Sequence, residues 1–229
     1  MPRVPPPEPT PRRRARPEPA SAGVLDAFTP ARLAEVLLAG VADARGPTAA
    51  GPDGARGPTA AVAAIVRSDA AGPELLLIER AASASDPWSG QMAFPGGRTD
   101  AADGNSLRTA ARETLEEVGV DIGGTALGRL ADLEGGLRSG TRSLRVTPHV
   151  CWWPGGRPAL TLNHEVAAAV WVPVRELADR SRFVDYRRPQ RPDERFPGIG
   201  LDGGRVVWGL TLTMLEDLFA RTGHPLRIR

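Results

Sequence analysis

Glu113, Glu116 and Glu117 fall within five residues of the stretch "RETLEEVGV". Each helical residue advances about 100°, so the three carboxylates share a sector roughly 100° wide on one face. On a bare helix their repulsion costs roughly a few tenths of a kcal/mol per pair. A positive partner between them reverses the sign of that cost. Hard divalent cations such as Mg²⁺ or Mn²⁺ take carboxylate oxygens and keep several waters, which leaves positions for a phosphate oxygen and an attacking water. A solvated acidic face is the alternative, and the upstream context argues against it. Gly96 and Gly97 in "FPGG" permit backbone geometry closed to other residues, so a main-chain carbonyl can turn toward the same cation.

The elements that must hold these groups can be read on either side. Leu107, Ala110, Ala111, Leu115 and Val118 recur at helical spacing and Gly119 supplies a stop, so a loop feeds a helix over 107–118. Upstream, "AVAAIV" and "ELLLIER" flank the turn "SDAAGP" and predict a hairpin over 60–80. Downstream, "ALGRLADL", "SLRVTPHVCWW" and "AAAVWVPV" read as strands, "VRELAD" as a short helix and "LTLTMLEDLFART" as a terminal helix. Residues 181–204, rich in Arg, Asp, Pro and Gly, read as a long irregular loop. Near the start, Thr29 caps a helix with Pro30 in its first turn and Leu33, Val36 and Leu37 on one face, expected to pack on the flank of the domain.

Residues 112–120 match the second half of the Nudix box, R-E-U-x-E-E-x-G-U with U aliphatic, at Arg112, Glu113, Glu116, Glu117, Gly119 and Val120, with Thr114 at the first U. The first half fits after one inserted residue, which aligns Gly97 with the box glycine and Asp103 with its acid. This longer box, preceded by "GQMAFPGG", resembles the coenzyme A pyrophosphatase branch of the Nudix hydrolases. Arg80, Gly90, Gln91 and Phe94 match that branch, whereas Ala81 replaces its usual Ser and Trp88 stands where a His is expected.

The resemblance implies a Nudix-type α/β/α sandwich with a mixed sheet, the box helix on one face and the terminal helix on the other. It implies hydrolysis of a nucleoside diphosphate derivative with Mg²⁺ or Mn²⁺ as cofactor, and coenzyme A or an acyl derivative as the leading substrate. Another nucleotide, such as ADP-ribose, a dinucleotide or a damaged triphosphate, and a non-catalytic nucleotide-sensing module are the alternatives. Glu113 and Glu117 are the expected principal ligands, Glu116 a shared ligand or the base, and the Gly97 carbonyl completes the shell. Glu165 in "NHEV" is a second candidate base. Arg112, about 100° round the helix from Glu113, is expected to point away from the metal and to pair with Asp103. Arg80, Gln91, Phe94 and Trp88 are candidate substrate contacts. The resemblance also allows a homodimer.

At 229 residues the chain suits one domain better than two, and the expected division is a Pro/Arg-rich disordered tail over 1–22, a flanking helix and linker over 23–59, and the hydrolase domain over 60–229. All 29 basic residues are arginine, several of them in "PRRRARP" near the start, and the net charge is only +2, which gives no footprint of dedicated nucleic-acid binding. No run approaches the roughly 20 apolar residues of a membrane span, and no apolar signal core follows the first arginines, so the expected location is the cytoplasm. Cys151, alone in an apolar run, is expected to be a buried small side chain. His149, His164 and His224 lack metal-ligand spacing and are expected to be structural or solvated.

Overall fold

A computed structural model describes residues 22–43, 59–83, 88–135, 144–188 and 191–228. Residues 1–21 of the expected tail and the linker over 44–58 lie outside the described residues. The predicted hairpin is present as β1 (Thr59–Asp69) and β2 (Gly72–Arg80), antiparallel, with Val66 opposite Leu75 and Asp69 opposite Gly72. Asp69 Oδ1 accepts from Ala71 N at 2.8 Å, and Gly72 at φ +105° takes the left-handed step of the turn.

Both strands are apolar on both faces because both faces are covered. Ala61, Ala63, Ile65, Leu76 and Ile78 belong to one core cluster, while Ala60, Ala64, Val66, Leu75 and Leu77 belong to the other. Beyond the turn the hairpin opens, and β3 (Met92–Ala93) pairs with β2 while β4 (Gly96–Arg98) pairs with β1. The main sheet is completed by β5 (Ala126–Arg129) and β6 (Leu133–Gly135) against β7 (Leu144–Trp152), which runs parallel to β1, and by β8 (Val166–Pro173), antiparallel to β2. The sheet is therefore mixed, as expected.

On one face lies α3 (Ser106–Val118), the helix that carries the glutamates, packed through Ala110 and Val118. On the other lie α1 (Ala22–Asp26), α2 (Pro30–Asp43) and the terminal α5 (Gly209–Arg221). Thr29 Oγ1 accepts from Arg32 N at 3.3 Å at the start of α2, and Leu33 and Leu37 are fully buried. Each such leucine contributes roughly 1.5–3 kcal/mol relative to an exposed one, so packing rather than helix propensity fixes this flank. Phe28 and Phe219 close the same layer with ring centroids 4.9 Å apart.

The stretch over 181–204 corrects the sequence reading. After α4 (Val174–Leu177) it forms β9 (Phe183–Arg188) and β10 (Arg191–Gly200), which with β11 (Val206–Trp208) make a separate three-stranded sheet. Its arginines and prolines mask a strand pattern in which Tyr186 lies opposite Phe196 and Ile199 opposite Val207. Ile199 and Val207 are fully buried, and they tie this sheet to the core. Among the described residues, no helix is long and apolar enough to cross a membrane.

Candidate active site

The site begins at the two glycines of "FPGG". Gly96, at φ +149°, donates its N–H to Glu117 Oε2 at 2.8 Å. A Cβ there would lie 2.3 Å from Ala61 O and 2.5 Å from Val62 Cα, so only glycine lets β4 come this close to β1. At Gly97 a Cβ would lie 2.4–2.6 Å from the carboxyl atoms of Glu113, so that side chain occupies the space a larger residue would take. The loop and the helix thus meet glycine backbone against carboxylate.

Asn105 opens α3 by accepting from Arg108 N at 2.9 Å, and Gly119, at φ +74°, closes it through its N–H to Leu115 O. Thr114, at the aliphatic position of the box, is fully buried and turns its hydroxyl back to Ala110 O at 2.6 Å, so its methyl group serves the core. These local choices aim Glu113 and Glu117 at β4. Glu117 is 1% exposed, and burial pushes its carboxyl up to about 7 against the opposing pull of the Gly96 N–H and of Arg80, whose Nη1 lies 3.9 Å away. Burial also raises Glu113, with the adjacent Arg112 guanidinium opposing it.

Arg112 departs from the expected orientation. It makes the expected fork to Asp103, Nε to Oδ1 at 2.8 Å and Nη2 to Oδ2 at 3.0 Å. Yet its Nη1 also lies 3.0 Å from Glu113 Oε1 and 3.2 Å from Glu116 Oε2, and Nη2 donates to Arg98 O at 3.0 Å. The 100° step of the helix describes Cβ directions, and a side chain of this length reaches back across it. Asp103, held well below the usual carboxylate range first by that guanidinium, also accepts from Asp100 N and Thr109 Oγ1. Asp103 rather than Gly104 therefore occupies the acidic position of the loop.

Glu165 arrives from a distant part of the chain. Its carboxylate is near enough to Glu113 and Glu117 to raise both of them, and its backbone carbonyl accepts from Ala81 N at 2.7 Å. Two backbone bonds from the β7–β8 connection position it, Thr161 N to Val118 O and Asn163 N to Glu117 O, and Asn163 Oδ1 then accepts from Glu165 N. Thr161 and Asn163 lie outside the box, and no local sequence signal links either of them to the end of α3.

The other candidates separate. Arg80 stands at the cluster, and Gln91 is bound to it through the backbone, Arg80 N to Gln91 O at 3.0 Å. Trp88 sits half-buried in the turn whose carbonyl accepts from Gln91 N. Phe94, 2% exposed within the core cluster of α2 and α5, is a packing residue and not a substrate contact. Cys151 is fully buried with its thiol pushed up to about 11 by burial, and His149, hydrogen-bonded to Ser106 Oγ at 3.0 Å, is held down to about 4 by burial, so both stay neutral near pH 7. His164 is an exposed surface residue.

Among the described residues, no three acidic, histidine or cysteine groups stand together as a ready-made metal site, and the Arg112 guanidinium lies within 3.2 Å of both Glu113 and Glu116. The donor set nevertheless fits a hard divalent cation. It consists of carboxylate oxygens, one of them on a buried glutamate whose carboxyl is pushed up by burial, beside a glycine whose missing side chain leaves room for Glu113.

The model of the NUDIX domain matches residues 57–193. The uncharacterized Nudix hydrolase NudL of Yersinia pestis (strain Pestoides F) is 31% identical over 144 residues, spanning 62% of this chain and 70% of that protein. Its counterpart in Yersinia pseudotuberculosis serotype O:1b gives the same figures. Solved structures that are similar include a MutT/nudix family protein from Enterococcus faecalis (TM-score 0.49, 17% identity, 81% of this chain and 68% of that one). A NUDIX hydrolase from Nitrosomonas europaea is another (TM-score 0.47, 16% identity, 76% of this chain and 96% of that one). The chain belongs to the Nudix hydrolases, enzymes that act on the pyrophosphate bonds of nucleotide derivatives and use divalent metal ions.

Proposed function

We propose that this protein cleaves the pyrophosphate of coenzyme A or an acyl-coenzyme A, giving 3′,5′-ADP and the corresponding 4′-phosphopantetheine. The observation that carries this reading is the register of the expanded loop. Asp103, and not Gly104, grips Arg112, while Gly97 lies against Glu113, which supports the one-residue expansion of the box by which the sequence resembles the coenzyme A branch.

In the reaction a water oxygen bonds to one phosphorus, the bridging P–O bond breaks, and the bridging oxygen leaves on the other phosphate. Glu113 and Glu117, with Glu116 and the Gly97 carbonyl, would hold Mg²⁺ or Mn²⁺. Such an ion supplies positive charge to the pyrophosphate oxygens and to the water. Glu116 or Glu165 takes the proton from the water, both being exposed enough to exchange with solvent. Arg112 ties Asp103, the Arg98 carbonyl and Glu113 together and so joins the loop to the helix. Arg80, beside Glu117, is placed to meet a substrate phosphate.

Incubation with coenzyme A and Mg²⁺, followed by mass spectrometry, tests the assignment. The expected products are 3′,5′-ADP and phosphopantetheine. Absence of 3′,5′-ADP while ADP-ribose or a nucleoside triphosphate is cleaved would instead establish a different nucleotide substrate. Ala81 and Trp88 favour that second reading, since both stand where the coenzyme A branch carries other residues.

A further inference from the structure

The small sheet meets the end of β2 around an open cavity of about 130 Å³, and nothing described so far uses it. Tyr186 and Trp208 form its aromatic wall. Trp208 is held in place, its ring centroid 5.1 Å from that of Tyr186 and 5.2 Å from that of Phe196, with the Arg188 guanidinium 5.4 Å from its centre. Gly198 is paired with Trp208 across the strands, and a Cβ there would lie 2.7 Å from Val206 Cγ1, so glycine lets the strands close behind the aromatic wall.

Other walls are bare backbone. Gly90 and Gly204 both have φ above +70°, and a Cβ on either would meet nothing within 4 Å among the described residues. A slot bounded by aromatic rings and glycine backbone accepts a flat ring. Among the described residues its charged lining is one pair, Arg205 Nε donating to Glu79 Oε2 at 2.8 Å, with each side chain about one third exposed. Glu79 Oε1 has no hydrogen-bond partner among the described residues. That oxygen can accept from an amine while the guanidinium donates to a ring nitrogen.

The cavity is also one residue from the carboxylate cluster. Glu79 and Arg80 are consecutive in β2 and point to opposite faces, and Arg80 reaches Glu117 on the α3 side. Gly90, on the rim, donates its N–H to Arg80 O at 3.1 Å, so the rim of the cavity is joined directly to the strand end that carries Arg80.

We infer that the Trp208–Tyr186 cavity binds the heterocyclic base of the nucleotide substrate, selecting an amino-bearing base such as adenine over uracil. Its 5′-phosphate then passes the strand end at Gly90 toward Arg80. The phosphate end of this pose rests on the pyrophosphohydrolase reading, while the base end does not.

Calorimetric titration of the full chain with AMP and with UMP, in EDTA so that no turnover intrudes, tests it. AMP is expected to bind at least about tenfold tighter than UMP, with Trp208→Phe within about threefold of wild type and Trp208→Leu at least about tenfold weaker for AMP. Glu79→Gln is expected to erase the preference for AMP, and it keeps the test decisive should Trp208→Leu not fold. Absence of AMP binding, equal affinity for AMP and UMP in wild type, or unchanged AMP affinity in a Trp208→Leu protein that melts normally would overturn the inference. Hydrolysis is assayed separately on the same variants. Turnover with base binding indifferent to Trp208 and Glu79 defeats the cavity alone, and Trp208-dependent AMP binding without any pyrophosphatase activity defeats the reaction alone.

Discussion

Glu117→Gln is expected to make the metal-free protein more stable while removing its activity. Glu117 is 1% exposed, and burial lifts its carboxyl from 4.5 to about 7. By linkage, that displacement corresponds to roughly 3 kcal/mol of destabilisation in the ionised protein. The sign follows from the protons bound. Between pH 4.5 and 7 the folded state holds a proton that the unfolded state has lost, so the stability associated with protonated Glu117 is full below 4.5 and is lost as pH rises through 7.

Glutamine keeps an acceptor for the Gly96 N–H, 2.8 Å away, and carries no charge to desolvate. Arg80, one quarter exposed, loses only a 3.9 Å ion pair that solvent can replace. In EDTA at pH 8.5 the variant should therefore exceed wild type by about 2–3 kcal/mol, a rise of roughly 5–10 °C in Tm for a chain of this size. At pH 4.5 the two should melt together. Added Mg²⁺ should raise wild type and leave the variant nearly unmoved, which narrows the gap, because only the form that binds the ion gains from it. Thermal melts across this pH range measure all three effects. A wild type that is the more stable at pH 8.5 in EDTA, or a difference that does not change with pH, would refute the reasoning.

The paired glycines should fail in different ways: Gly97→Ala displaces the Glu113 carboxyl and should cut turnover by roughly tenfold or more with a stability loss of about 1 kcal/mol, whereas Gly96→Ala drives its methyl into the β1 backbone and should cost about 3 kcal/mol or more, as urea melts will show. Arg112→Ala leaves the Asp103 carboxylate, 5% exposed, without its fork and should cost about 3 kcal/mol at pH 7. Because Asp103 is held low, that contribution is present above pH 3.8 and lost on further acidification, so the variant and wild type should converge in acid melts. Glu165→Gln should lower kcat about tenfold or more with KM little changed if its carboxylate serves as the base, and steady-state kinetics decide this.

Much of this was written in short-range patterns. The box helix, its Gly119 stop and the β1–β2 hairpin depend on periodicity and turn chemistry within a dozen residues, and they stand where the sequence placed them. The sheet over 183–208 escaped because its strands owe their pairing to cross-strand neighbours such as Tyr186 and Phe196, while their composition, heavy in Arg and Pro, imitates a loop. Phe94 misled in the opposite direction, since a motif match says which residue recurs and not which face of the sheet it serves.

Glu165 shows why the remainder of the site was hidden. It lies 48 positions after Glu117, and no local signal links them. The link is a requirement of α3 itself, whose last carbonyls have no donors within the helix. Thr161 N and Asn163 N supply Val118 O and Glu117 O, and a side chain on Gly119 would stand 3.1 Å from Thr161 Cβ, so the glycine that stops the helix also admits the strand of chain that caps it. Asn163, fixed there, turns its Oδ1 to Glu165 N and so anchors the backbone of a residue whose carboxylate lies close enough to raise Glu113 and Glu117. Placement of a catalytic candidate thus follows from satisfying a helix end, and Asn163→Ala should therefore weaken the effect of Glu165 without touching any carboxylate. The expected readout is a kcat loss approaching that of Glu165→Gln and little further loss in the double variant, whereas additive losses would show that Asn163 acts on stability alone.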